Sequence, residues 1–307
     1  RKYNDIALPE DIDILVNRST DGGRTWSEPL TLAEGTGVGH GFGDCALVRT
    51  NEEGGLIAVF VGGVGFCLKW DMGFMHDMLD YMALDPFFRS ANHSRLTFSM
   101  MYAFAENYVL AFSHDEVVHG KYSMVNKMNG DYERKFASLR ALTGYQFAHP
   151  GKKLTFMGSE FGQFIEWNWQ QPLDWMLLDY PKHRGMQSWM KELNRIYREY
   201  PAFSLQDHSW DGFRWLNVDD AARSSIAFLR IPGDESRSIV CVFNFTPVQY
   251  DGFVFGLPQN GTLKEILNSD DEAFGGNGAA NPHAIRARKQ PFMEFGWSCG
   301  ITLPPLS

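Results

Sequence analysis

Hydrophobic positions along the chain fall into three textures. Over residues 1–63 the apolar residues come in short runs broken by turn-forming residues, which is a strand pattern. Residues 12–16 predict a strand that runs into a tight turn at Thr20-Asp21-Gly22-Gly23. Residues 45–48 and 56–61 predict a hairpin around Asn51-Glu52-Glu53-Gly54-Gly55. Residues 64–205 alternate short buried runs with amphipathic spacing. Strands are expected at 108–112 and 154–157, and helices at 136–147 and 186–200, the second ending before Pro201. That alternation predicts parallel βα units. From residue 206 the pattern returns to strands, at 225–230, 238–245 and 249–255, with Pro and Gly turns between them. This predicts a separate β-sandwich. The expected class is α/β plus all-β, in three parts bounded at 1–63, 64–205 and 206–307.

Composition narrows the partners more than the fold. A chain of 307 residues has room for roughly two domains, or for one barrel-sized domain with an appendage. A net charge of -9 argues against nucleic acid or an anionic membrane surface as partner. No apolar run approaches a membrane span and residues 1–20 have no signal-peptide pattern, so a cytoplasmic setting is expected. Cys45, Cys67, Cys241 and Cys299 are spaced for neither a zinc site nor a disulfide framework. No metal and no cofactor are expected. Aromatic residues make up 14% of the chain; sugar stacking is one use for them, and core packing is the commoner one.

The sharpest motif of the first part is Ser19-Thr20-Asp21-Gly22-Gly23-Arg24-Thr25-Trp26. Ser and Asp can cap backbone donors in a hairpin turn, the glycines permit positive φ, and the Trp packs back over the turn. The segment resembles the Asp-box of sialidases, and the likeness to sialidases extends over Tyr3-Asn4, residues 8–13, Gly43-Asp44 and residues 60–63. The resemblance implies a partial β-propeller fragment over 1–63, with the Asp-box bracing a hairpin away from the chemistry. Counting back to the family's acid/base Asp reaches Ala7, with Asp5 and Asp11 on either side; Asp5 is the candidate. The remaining sialidase machinery would lie beyond residue 63, where the likeness ends.

A polar cluster, Ser113-His114-Asp115-Glu116, follows directly on the apolar run 108–112. Enzymes built on parallel barrels keep their chemistry at the carboxyl ends of the strands. A His beside an Asp can hold vicinal sugar hydroxyls, the imidazole donating and the carboxylate accepting. An ionised carboxylate also favours the positive charge of an oxocarbenium-like transition state. On the residues alone, a solvated loop is an equal alternative.

The block 112–121 resembles the fourth signature region of the α-amylase superfamily in its 1,4-α-glucan branching enzyme form. The likeness continues through residues 68–81, 154–163, 166–168, 173–175, 177–178 and 183–187, and through 267–270 and 274–278, covering about 64–307. It implies barrel strands six to eight of a (β/α)8 barrel followed by the family's C-terminal β-sandwich. It also implies that Asp115 is the third carboxylate, stabilising and distorting the sugar at the cleavage site, and that His114 hydrogen-bonds the same sugar. Trp70, Asp71 and Trp169 would line the glucan path; Glu160 is a ligand or a loop brace, and His119 and Lys121 shape the loop. The substrate implied is an α-glucan such as glycogen or amylose.

The family's reaction is a retaining double displacement, in which an α-1,4 linkage is cleaved and the segment passes to a 6-hydroxyl. Its nucleophile lies on a G-x-R-x-D segment and its acid on a following E-E segment, ahead of the sixth strand. The sequence contains no G-x-R-x-D segment followed by an E-E segment. The isolated chain is therefore expected to be inactive, and a join between two families is expected within residues 60–66. The other readings are a sialidase and a non-catalytic glucan-binding or inert chimera.

Overall fold

The computed structural model describes residues 68–307 continuously and, before them, residues 14–16, 25, 27–33, 42–49 and 56–62. The chain divides into two compact units, Arg1–Lys69 and Trp70–Ser307.

In the first unit β1 (Ile14–Val16) pairs antiparallel with β2 (Leu30–Ala33). The predicted hairpin is present as β3 (Phe42–Arg49) and β4 (Leu56–Gly62), also antiparallel, with Val48 opposite Ile57 and Cys45 opposite Phe60. Among the described residues these are two separate two-stranded ribbons, without the hydrogen bonds between ribbons that a four-stranded propeller blade needs. Asp5, and most of the Asp-box-like turn, lie outside the described residues.

The second unit begins on a three-stranded sheet in the order β5 (Lys69–Trp70), β6 (Tyr108–Phe112), β7 (Lys152–Thr155). β6 and β7 are parallel, with Val109 opposite Lys152 and Phe112 opposite Thr155. Between them runs α2 (Tyr132–Ala148), after α1 (Met72–Ala83), which follows β5; α3 (Pro181–Glu199) comes after β7. Each start has a local cause. Asp71 and Asp131 cap α1 and α2 by accepting the amides of Phe74 and Arg134, and Pro181 opens α3 where a missing N–H costs nothing. α3 buries His183, Met186, Trp189, Met190, Leu193 and Ile196 along one stripe. α2 buries every residue from Ser138 to Ala148, because it is enclosed by neighbours on all sides.

β7 begins two residues before the apolar run that predicted it. Lys152 and Lys153 belong to the strand because their ammonium groups find partners: Lys152 pairs with Asp207 at 3.1 Å, and Lys153 donates to the Gly151 carbonyl at 2.6 Å. Phe156 and Met157 leave the sheet ahead of Gly158, whose φ of 90° is left-handed.

The C-terminal strands form an antiparallel sheet of β8 (Phe213–Asn217), β9 (Ser225–Arg230) and β10 (Ile239–Asn244). β11 (Tyr250–Leu257) pairs with β14 (Trp297–Leu303), and β12 (Thr262–Leu263) with β13 (Ile285–Arg286). β9 is buried along its whole length, and the period of two sorts its side chains. Ile226 and Phe228 enter a core shared with α1, α2 and α3, whereas Ala227 and Leu229 enter a second core with Phe253, Phe255 and Leu257.

Two fully buried arginines tie these layers together. Arg89 donates to the carbonyls of Phe245 at 2.6 Å and Met82 at 3.0 Å. Arg230 donates to the Ala148 carbonyl at 2.6 Å and to Asp207 at 3.0 Å. Cys241 and Cys299 are buried free thiols, and burial pushes the Cys241 pKa up to about 12. Among the described residues no helix is long and apolar enough to cross a membrane, and no group of three or more His, Cys, Asp or Glu could hold a metal ion.

Candidate functional site

β6 delivers the Ser113–Glu116 cluster to its carboxyl end, and a capping box then decides which side chains face out. The Ser113 amide and hydroxyl both donate to Glu116 Oε2, at 2.6 and 2.8 Å, and the Asp115 amide donates to Ser113 Oγ at 3.2 Å. This closes the single turn His114–Val117. Ser113, Glu116 and Val117 are consumed by the turn and buried. His114 and Asp115 project outward instead, their side chains 50% and 60% exposed, with His114 Nε2 3.3 Å from Asp115 Oδ1.

The imidazole is held from the segment after β7. The ring of His114 lies 6.0 Å from Phe156 and 6.3 Å from Trp167, and those two rings meet edge to face at 5.1 Å. The turn after the pair is held as well. Lys121 Nζ donates to the Asp115 carbonyl at 2.9 Å, and the Trp167 amide donates to the Val117 carbonyl at 2.9 Å. Glu166 accepts from the amides of Gly120 at 2.9 Å and Tyr122 at 2.6 Å, and these bonds lower its pKa.

The other residues singled out in the sequence are placed differently. Trp70, at the end of β5, is 42% exposed and Trp169 is 75% exposed, so both rings are open to a ligand. Glu160 is half-buried in the short turn Ser159–Phe161, between two left-handed glycines. Among the described residues no hydrogen bond or ring contact joins Trp70, Glu160 or Trp169 to His114 or Asp115. Asp71 departs from the expectation that it lines a glucan path: it is 2% exposed. Its Oδ1 accepts from the Phe74 amide at 2.8 Å and the Tyr102 hydroxyl at 3.0 Å, while Oδ2 is buried without a partner. Burial raises its pKa against the pull of those bonds.

Phe156 and Trp167, which contact the His114 ring, and Glu166, which holds the Gly120 and Tyr122 amides, are not among the site residues that the sequence singles out. Their contacts with the turn cross about 40 residues of sequence, which no local spacing reports. A cavity of about 600 Å³ lies elsewhere, lined by residues such as Phe147, Trp189, Leu193 and Phe243, and none of the predicted site residues borders it. The His114–Asp115 face thus lies outside that cavity and is open to solvent.

Residues 215–307 match the family described as Alpha amylase, C-terminal all-beta domain. The chain is 49% identical over 247 residues to 1,4-alpha-glucan branching enzyme GlgB of Halothermothrix orenii, covering 80% of this chain and 39% of that protein. It is 50% identical over 248 residues to the enzyme of the same name from Aquifex aeolicus, covering 81% and 39%. With that of Cellvibrio japonicus the identity is 44% over 290 residues, covering 93% and 39%. The chain therefore spans about two-fifths of the length of these relatives. A match over 93% of the chain necessarily includes part of residues 1–63, so the break expected within 60–66 does not bound the likeness in every relative. Among solved structures, Ttha1563 from Thermus thermophilus shares the fold with a TM-score of 0.52 at 19% identity, covering 79% of this chain and 47% of that one. Over about four-fifths of its length, this chain is a homologue of the 1,4-α-glucan branching enzymes.

Proposed function

We propose that this chain carries the sugar-holding face and the C-terminal β-domain of a 1,4-α-glucan branching enzyme. Asp115 stabilises positive charge on the sugar whose α-1,4 bond is cleaved, and His114 donates to a hydroxyl of the same sugar. Trp70 and Trp169 offer exposed rings to the glucan, and Glu160 serves as a ligand or as a brace of the loop after β7. The observation that carries this reading is the outward His114–Asp115 pair, 3.3 Å apart on a capped turn at the carboxyl end of a parallel strand. An acidic chain of this kind works on glycogen or amylose in the cytoplasm, without nucleic acid or membrane as partner. The nucleophile and acid segments have no counterpart in the sequence, so the 307-residue polypeptide by itself binds α-glucan and does not branch it.

Native electrophoresis in a glycogen-containing gel tests the binding. Retardation of the chain that weakens in Asp115→Ala supports the reading, and mobility independent of glycogen overturns it. Iodine staining of amylose with assay of new α-1,6 linkages tests the chemistry. No branching above background is expected; turnover abolished by Asp115→Ala would overturn the claim that the chain lacks essential carboxylates. The Asp-box-like text at 19–26 favours a second reading, in which residues 1–63 are a sialidase propeller fragment joined to the rest. Release of a fluorophore from a sialoside, lost on Asp5→Ala, is the result that would establish it.

A further inference from the structure

The turn that presents His114 and Asp115 continues into backbone that does not hold itself. His119, Gly120 and Tyr122 have φ of 57°, 81° and 68°. Two of these three left-handed residues carry a Cβ, which that region disfavours. The stretch makes one backbone bond of its own, from the Lys121 amide to the Val118 carbonyl at 3.2 Å. The amides of Gly120 and Tyr122 go instead to the two oxygens of one carboxylate, Glu166, which lies more than 40 residues away. A carboxylate gives each amide its own acceptor oxygen. One residue further on, Trp167 docks twice: its amide reaches the Val117 carbonyl and its ring the His114 imidazole. Lys127 and His119 both favour the ionised form of Glu166.

From this arrangement we propose that Glu166 is the positioning residue of the site: it locks the 117–122 turn to the loop after β7 and thereby fixes His114 and Asp115 toward the glucan. The proposal rests on the reading of that pair as the sugar-holding face. The same lock holds the backbone of Tyr122, whose side chain is 66% exposed, on the stretch that follows the pair.

Amide exchange followed by NMR, glycogen retardation and thermal melting of the full chain test the proposal in Glu166→Ala and Glu166→Gln. In E166A, exchange at Gly120 and Tyr122 should accelerate by roughly tenfold or more. The His114 ring-proton resonance should shift as Trp167 moves away, and glycogen retardation should fall while the melt remains cooperative. In E166Q the side-chain carbonyl still accepts from one amide, so both exchange and retardation should recover in part. Unchanged exchange with unchanged retardation in E166A would overturn the proposal. So would a loss of retardation with both amides still protected, because Glu166 would then be touching sugar itself. Released amides in a chain that glycogen never retards would leave the lock intact and remove the sugar-face reading beneath it.

Discussion

At the scale of single residues, the site depends on which oxygen each polar group occupies. Glu116 belongs to the same charged run as Asp115, yet its carboxylate is used up by the Ser113 amide and hydroxyl. Asp115 is left with an open carboxylate beside an imidazole. Replacing Ser113 with Ala removes one arm of the capping box and should cost about 1 kcal/mol in a denaturant titration. Replacing Asp115 with Asn keeps the shape and removes the charge. Glycogen retardation should then weaken by roughly tenfold, the scale of a hydrogen bond to a charged group, with the denaturant midpoint unchanged. Asp71 shows the opposite case. Its folded pKa lies above the ordinary carboxylate value, so it destabilises the fold as pH rises through that folded value. Asp71→Asn keeps the Oδ1 cap and removes the buried charge on Oδ2. It should melt at or above the wild-type temperature at pH 8, whereas Asp71→Ala, which loses the cap, should lose about 1–2 kcal/mol.

At the scale of elements, close approach overrides local preference. Gly185 sits inside α3, where Gly to Ala should by helix propensity alone gain about 1 kcal/mol. A Cβ there would stand 2.5 Å from the Phe274 carbonyl oxygen, a backbone atom that cannot swing aside. Gly185→Ala should therefore lower the melting temperature, and a rise would mean that the loop at 274 yields more readily than its geometry implies. Legibility in the sequence follows the same division. The strands at 108–112 and 225–230 have the bounds their hydrophobic runs predict, because each run is buried along almost its whole length. β7 does not, because its two lysines find partners in Asp207 and in the carbonyls of His149 and Gly151, which periodicity cannot register.

At the scale of the whole second unit, stability turns on a few buried charges between layers. Burial alone would raise the Asp207 pKa, but Lys153, Arg230, the Gly151 amide and Lys152 together hold it below the ordinary value. Its contribution is therefore present above a pH of about 4, and it is lost as pH falls through the lower folded pKa. Asp207→Ala would leave Arg230, fully buried, with an uncompensated charge. The expected cost at pH 7 is about 3–5 kcal/mol, with a flatter acid limb than in the unsubstituted chain. Equal loss of melting temperature below pH 4 in both proteins would assign the acid transition to other carboxylates.

Residue type and spacing report the local frame: the strands at 108–112 and 225–230, the alternation of strands and helices before the C-terminal strands, and the adjacency that makes His114 and Asp115 a pair. These follow from contacts a few residues apart, which spacing and residue type report directly. Tertiary structure alone decided that Asp71 is a buried cap rather than a surface ligand. It also decided that Phe156 and Trp167 hold the imidazole, that Glu166 bridges two amides across the turn, and that β9 serves two cores at once. Each of these arises where segments distant in sequence close on one another, and there burial and available partners, rather than residue type, determine what a side chain does.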